Sequence, residues 1–200
     1  MVKLPNNPLS PKLIKYLELL VKWAKVVNLV APSTIPDAKI RHFDDSLQII
    51  SLIPKSKKVL FDLGSGAGFP GMVIAIEDPN LSVHLIESDT KKCSFLSTIS
   101  RETDTPVIIH NCRIEAVSNL TALQPDIITA RALASLSDLL SLSKQWWTSN
   151  PNLILIFLKG AKAQEEIEDA QKLYRFKLTT VPSQTDKTAS ILVLTKVENI

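Results

Sequence analysis

The chain of 200 residues is 45% hydrophobic and 22% charged, which excludes a disordered or low-complexity polymer and leaves ample length for one domain with its own core. The longest apolar run, Leu153 to Leu158, cannot span a bilayer, no signal-like stretch follows Met1, and Cys93 and Cys112 lack metal-site spacing, so a cytoplasmic, metal-free chain without disulfides is expected. The net charge of +3 conceals an asymmetry: 10 basic and 4 acidic residues precede position 61, against 13 and 16 after it, so a basic segment able to meet a polyanion leads a mildly acidic remainder.

Ser10-Pro11 reads as N-cap and first helical residue, with Leu13, Leu17, Leu20, Ala24 and Val27 at helical spacing and Lys12, Lys15, Lys22 and Lys25 elsewhere on the surface. A second helix is predicted from Asp37 to Leu52, its apolar stripe formed by Ile40, Phe43, Leu47 and Ile50. Residues 1–57 thus form a basic helical extension. From 58 to 200 the rhythm changes. Apolar runs at Lys58–Asp62, Val83–Glu87, Val107–His110, Asp126–Ala130 and Asn152–Leu158 alternate with helical segments, the pattern of βαβ units and a parallel sheet. Phe176–Val181 and Ser190–Thr195 follow as an antiparallel hairpin at the sheet edge, and the two parts are expected to pack as one unit.

Only five glycines occur, and Gly64, Gly66, Gly68 and Gly71 fall within eight residues, between a predicted strand and a helix opened by Pro70. Such a turn passes close beneath a ligand, and the free N–H groups of the next helix face the same crevice. Glu87 ends the following strand, where a carboxylate accepts both hydroxyls of an adenosine ribose. An adenosine-bearing cofactor is implied. Gly66-Ala-Gly68-Phe-Pro-Gly71 also fits the dinucleotide fingerprint, a weak motif alone. Asp62, two residues before Gly64, argues for S-adenosylmethionine instead, because its carboxylate would repel a pyrophosphate but not an ammonium or a sulfonium. No Tyr-x-x-x-Lys pair suggests hydride transfer, and no Walker loop is present.

Trp23 with Asn28-Leu29, Arg41-His42-Phe43-Asp44-Asp45-Ser46, Asp62 to Gly71, Glu87 with Lys91-Lys92, Asn111 with Arg113 and Glu115, Arg131-Ala132 and Lys159-Gly160 follow one another in order. This ordered set resembles the RsmG (GidB) methyltransferases, which modify a guanine N7 of bacterial 16S rRNA. The resemblance implies a Rossmann-like class I fold with a mostly parallel seven-stranded α/β sheet, a carboxyl-terminal antiparallel hairpin and an amino-terminal helical extension. It also implies that S-adenosylmethionine is contacted by Gly64, Phe69, the Glu87 region with Ser88 and Asp89, Ile114, Glu115 and Arg131. The chain departs from the family pattern at Val30, where Thr is usual, and at Ala189-Ser190, where an Arg precedes the final strand.

Asp62, Gly66 and Gly68 join these as candidate cofactor residues, Asp62 as an anchor for the methionine end. Arg131, at the carboxyl end of the fourth strand, is the candidate active-site residue, positioning rather than exchanging protons. Lys12, Lys15, Lys22, Lys25, Arg41, His42 and Lys159 are the candidate RNA contacts, His42 being equally well a packing residue. His84, His110 and Trp146-Trp147 read as structural. After the fourth strand the chain reads Asp126-Ile-Ile-Thr-Ala-Arg-Ala-Leu133 rather than the Asn/Asp-Pro-Pro-Tyr/Phe of adenine amino methyltransferases. A guanine N7, which has no proton to lose, suits a site offering Arg131 and no evident base. The partner implied is 16S rRNA or the small ribosomal subunit. Small-molecule methylation, or a non-catalytic nucleotide-binding module, are the alternatives.

Overall fold

The computed structural model of the protein describes residues 8–119 and 123–200. Helix α1 (Pro11–Trp23) starts where the Ser10 side chain accepts the Leu13 N–H, with Pro11 at its first position, and ends four residues before Val27. It buries Leu13, Tyr16 and Leu20 and leaves Lys12, Lys15, Lys22 and Lys25 exposed. The predicted second helix is one helical segment of three kinds: a π turn (Lys39–Asp44), α2 (Asp45–Leu47) and a 3-10 turn (Gln48–Leu52). The wider π turn breaks the 3.6-residue rhythm, so Ile40 is 46% exposed instead of joining the stripe, while Phe43 and Leu47 stay buried.

The sheet is assembled from β1 (Val59–Leu63), β2 (Ser82–Glu87), β3 (Ile108–Asn111), β4 (Ile127–Arg131), β5 (Ile154–Lys159), β6 (Tyr174–Pro182) and β7 (Ser190–Asn199) in the order β3-β2-β1-β4-β5-β7-β6. Strands β1 to β5 run parallel, and β7 lies antiparallel between β5 and β6. Helices α3 (Gly71–Glu77), α4 (Thr90–Glu102), α5 (Leu136–Leu142), α6 (Lys144–Trp147) and α7 (Ala163–Gln171) cover its faces. The seven-stranded α/β sheet with its edge hairpin matches the sequence expectation, and the order reverses between β1 and β4, the crevice at which open sheets of this kind bind ligands.

Each strand side feeds a different core. Leu60 packs with Leu13, Tyr16, Phe43, Met72 and Phe95, and Phe61 and Leu63 pack with Leu136, Trp146, Trp147 and Ile167. The amino-terminal helices therefore share the core of one face of the sheet. Tyr16 is its centre, stacked on Phe69 at 5.3 Å and edge-on to Phe43 at 4.9 Å. Such pairs add about 0.5–1.5 kcal/mol each beyond burial. The other core holds Trp146 and Trp147, Trp147 donating its indole N–H to the Leu140 carbonyl at 2.8 Å. His84 and His110 stack between strands and share a 2.8 Å hydrogen bond, a structural pair.

Candidate active site at the carboxyl ends of the strands

Beyond β1 the glycine turn divides its work. At Gly66 the backbone is left-handed (φ +57°), and a Cβ there would meet only the Gly64 carbonyl, at 3.8 Å, so its open side faces the cleft. The other three are small because neighbours press on them. A Cβ at Gly68 would lie 2.5 Å from Tyr16 Oη, one at Gly71 2.7 Å from Asp62 Cβ, and one at Gly64 2.6 Å from Leu133 Cδ1. Gly64 still lines the cleft, whereas Gly68 serves the contact between α1 and the turn. Tyr16 donates its hydroxyl to the Ala67 carbonyl there.

Asp62 lies under the turn, fully buried and away from the cleft lining. Its Oδ1 accepts from the Thr129 hydroxyl at 2.8 Å and its Oδ2 from the Gly71 N–H at 3.2 Å. Burial pushes its carboxyl up to about 6, against the pull of those hydrogen bonds. The carboxylate expected at the methionine end of a cofactor thus braces the turn from below.

Glu87, at the end of β2, lines the cleft as expected, and its two oxygens accept the Gly66 and Asp89 N–H groups, each at 2.8 Å. Ser88, Ile114 and Glu115 line the same wall. Asp89 does not: it caps α4, accepting from Lys91 and Lys92 N–H groups that hold its carboxyl below the usual range. Cys112 also lines this wall, its thiol pushed up by desolvation, and the neighbouring Cys93 is pushed up to about 11, so neither supplies a thiolate near neutrality.

Arg131 reaches from the end of β4 into the middle of the cleft. It donates to the Arg41 carbonyl at 2.9 Å, to Asp45 Oδ2 at 3.2 Å and to His42 Nδ1 at 3.1 Å, and its guanidinium lies 5.0 Å over the Phe69 ring. These bonds occupy three of the five N–H groups of a guanidinium. His42 is buried, stacked on Phe69 and bonded through Nε2 to the Thr34 hydroxyl at 2.8 Å. Burial first, then the charges of Arg131 and Arg41, bring its pKa down to about 4. The neutral ring thus accepts from Arg131 and donates to Thr34, whose own hydroxyl donates to the Ala31 carbonyl. Asp45, which the sequence presents only as one member of the Arg41 to Ser46 run, is the ion-pair partner of Arg131.

The cleft has a volume of about 760 Å³ and runs from the Glu87 wall to the connection between β6 and β7, whose Ser183, Thr185 and Asp186 line its far side with Ser190, the first residue of β7. Lys159 lines it too, but it is bound to Glu166 at 2.5 Å and to the Ala134 carbonyl at 2.5 Å, so its charge is neutralised within the fold. Arg41, Lys92 and Arg113 are the remaining cations of the lining. Lys12 is not brought near: its amine donates to the Asp104 carbonyl, at the amino-terminal edge of the sheet. Lys15 lies one turn further along α1, and Lys22 and Lys25 sit at the end of α1 that approaches Leu29 and Val30 of the cleft.

Residues 9–192 match the family model of rRNA small subunit methyltransferase G. The chain is 45% identical over 186 residues to a ribosomal RNA small subunit methyltransferase G of Paramagnetospirillum magneticum, covering 91% of this chain and 86% of the relative. It is 41% identical over 188 residues to the protein of that name from Rhizobium rhizogenes, with coverage of 92% and 91%. Among solved structures, an S-adenosylhomocysteine-bound Podospora anserina methyltransferase superposes with a TM-score of 0.66 at 10% identity, covering 95% of this chain and 90% of that one. A putative O-methyltransferase from Klebsiella pneumoniae gives 0.62 at 12% identity, covering 96% and 92%. The fold is that of the class I methyltransferases, and the chain belongs to the rRNA small subunit methyltransferase G (GidB) family.

Proposed function

We propose that this chain transfers a methyl group from S-adenosylmethionine to N7 of a guanine in 16S rRNA, acting on rRNA or the small ribosomal subunit in the cytoplasm. The open side of Gly66, the Glu87 carboxylate and the Ser88, Ile114 and Glu115 wall fit an adenosine-bearing cofactor. When bound, it supplies an electrophilic methyl on a sulfonium. What this chain supplies is alignment and a field that tolerates charge moving to the acceptor.

The observation that carries the acceptor is the engagement of His42. Its lowered pKa and its bonds to Arg131 and Thr34 leave no ring nitrogen free to take a proton. Asp45 is held by Arg131, and the Cys112 thiol is pushed up. A hydroxyl or exocyclic amine acceptor must lose a proton, for which the lining would leave the carboxylates of Glu115 and Asp186, whereas guanine N7 presents a bare lone pair and needs no base. The two N–H groups of Arg131 that have no partner among the described residues suit guanine O6, next to N7, and would leave the N7 lone pair free to react. Arg41, Lys92 and Arg113 in the lining suit the RNA backbone, and Lys22 and Lys25, exposed where α1 ends and the chain leads on to Leu29 and Val30, would extend that charge.

Incubation with labelled methyl donor and 16S rRNA, or 30S particles, from a strain lacking its own N7 enzyme tests the reading. Label in a 7-methylguanosine is expected; label only in another nucleoside, or none in either substrate, overturns it.

A further inference from the structure

Gln48 is buried, 4% exposed, and lies outside the cleft lining, yet every polar atom of its side chain is directed at the cleft's far wall or at the residue that holds Arg131. Its Oε1 accepts the Gln184 N–H at 2.9 Å. Its Nε2 donates to Ser183 Oγ at 3.2 Å and to Asp45 at the carbonyl (3.0 Å) and Oδ1 (2.9 Å). Asp45 Oδ1 in turn accepts the Thr185 hydroxyl at 2.9 Å, while its Oδ2 accepts from Arg131. Ser183 Oγ accepts the Thr185 N–H at 3.2 Å, so the atom Gln48 touches also closes the turn.

A buried amide of this kind is costly unless all its partners are present, and here they belong to two segments more than 130 residues apart in sequence. The wall it fixes carries Ser183, Thr185, Asp186 and Ser190, across β1, β4 and β5 from Glu87 and the glycine turn. That side lies away from the Glu87 wall argued above to hold an adenosine, which leaves it for an acceptor. We propose that Gln48, with Asp45, is a positioning residue for the acceptor: the amino-terminal helical segment holds the β6–β7 connection in place and so sets the acceptor's approach to the methyl, without contributing to cofactor binding.

The proposal rests on the function argued above, and the experiment separates the two. Gln48→Met keeps the volume and removes the hydrogen bonds, and Gln48→Glu keeps the acceptor for Gln184 N–H but loses the donors. Four quantities are compared with wild type: S-adenosylmethionine affinity by calorimetry, kcat and KM for 16S rRNA or 30S particles, amide exchange across residues 183–189, and thermal stability. For Gln48→Met we expect faster exchange confined to 183–189, kcat/KM for RNA reduced roughly tenfold, as for the loss of about 1.4 kcal/mol of positioning, and cofactor affinity within twofold. Gln48→Glu, which sets a second carboxylate against Asp45 Oδ1, should be impaired at least as much as Gln48→Met. Exchange at 183–189 unchanged in Gln48→Met, or cofactor affinity falling in step with turnover, overturns the proposal. A merely structural role would lower stability and leave kcat/KM unmoved, which also overturns it. Should wild type transfer no methyl to either substrate, the function reading falls, and exchange at 183–189 with cofactor affinity still decides the clamp.

Discussion

Asp62 and Thr129 occupy paired positions on neighbouring parallel strands, and the Thr129 hydroxyl donates to the buried Asp62 carboxylate at 2.8 Å. The carboxylate then has one oxygen left for the Gly71 N–H, and Asp62 together with Leu85 leaves no room for a side chain at Gly71. With the native pKa near 6 against an ordinary 3.8, the folded state takes up a proton that the unfolded state releases between those values. Asp62 therefore contributes stability below about pH 4 that is lost as pH rises through 6, about 3 kcal/mol in all. Asp62→Asn can keep both bonds, its amide donating to Thr129 and its oxygen accepting from Gly71. Its stability relative to wild type should rise by up to about 3 kcal/mol between pH 4 and pH 7, read by urea melts. A difference that does not vary with pH would mean the carboxyl is not buried as described.

His42 and His84 act in the opposite sense. Both are held down to about 4, so each contributes stability above pH 6.5 that is lost as pH falls toward 4. His84→Phe, which preserves stacking on Phe61, should flatten the acid limb of the stability curve by one titrating group. A limb as steep as that of wild type would count against a buried neutral His84.

Gly66→Val is expected to leave the domain folded, since the new Cβ meets nothing closer than 3.8 Å, and to weaken S-adenosylmethionine roughly tenfold or more. A left-handed backbone costs an L-residue about 1–2 kcal/mol, and the branched side chain projects into the cleft. Calorimetry showing unchanged affinity would remove the cofactor from this turn.

Glu87→Ala should cost about 1.5–3 kcal/mol of cofactor binding, the range for hydrogen bonds to a charged group. Part of that loss would come from freeing the Gly66 N–H, which Glu87 now holds at 2.8 Å. An affinity within error of wild type would leave Glu87 as a loop brace alone.

The chemical step should be nearly flat from about pH 6.5 to 8.5, the interval between the ordinary His and Lys titrations. His42 is already neutral there, and burial raises the Tyr16 hydroxyl and both thiols. Single-turnover rates with saturating RNA and cofactor check this. A rise of about tenfold that survives Cys93→Ser and Cys112→Ser would reveal a general base and remove the support for N7.

Lys22→Gln and Lys25→Gln should each reduce the slope of log affinity for RNA against log salt by about 0.7–0.9, as one fewer counterion is released. Lys12→Gln should leave the slope unchanged, because that amine is bound to Asp104 at the opposite edge of the sheet. Equal effects at all three positions would mean RNA wraps the length of α1.

The amino-acid sequence by itself determined the elements that local chemistry governs. Ser10-Pro11 opens a helix by capping, five apolar runs of short length become parallel strands, and a dense cluster of glycines marks the tight turn beside the cleft. It also placed Glu87, Ser88, Ile114, Glu115 and Arg131, because strand ends in a parallel sheet point to one crevice. What it could not decide was partnership across distance. Asp62 reads as a cofactor anchor and Lys159 as an RNA contact, and only the fold shows Thr129 and Gly71 on the oxygens of the one and Glu166 paired with the other. His42, half packing residue and half contact by sequence, becomes the neutral partner of Arg131 only when the amino-terminal segment lies against β4. Gln48 carries no local signal beyond a polar residue beside an apolar stripe; its meaning comes from a loop 135 residues away. Hydrogen bonds and ion pairs depend on angstrom distances between segments remote in the chain, and periodicity along the chain contains no such information.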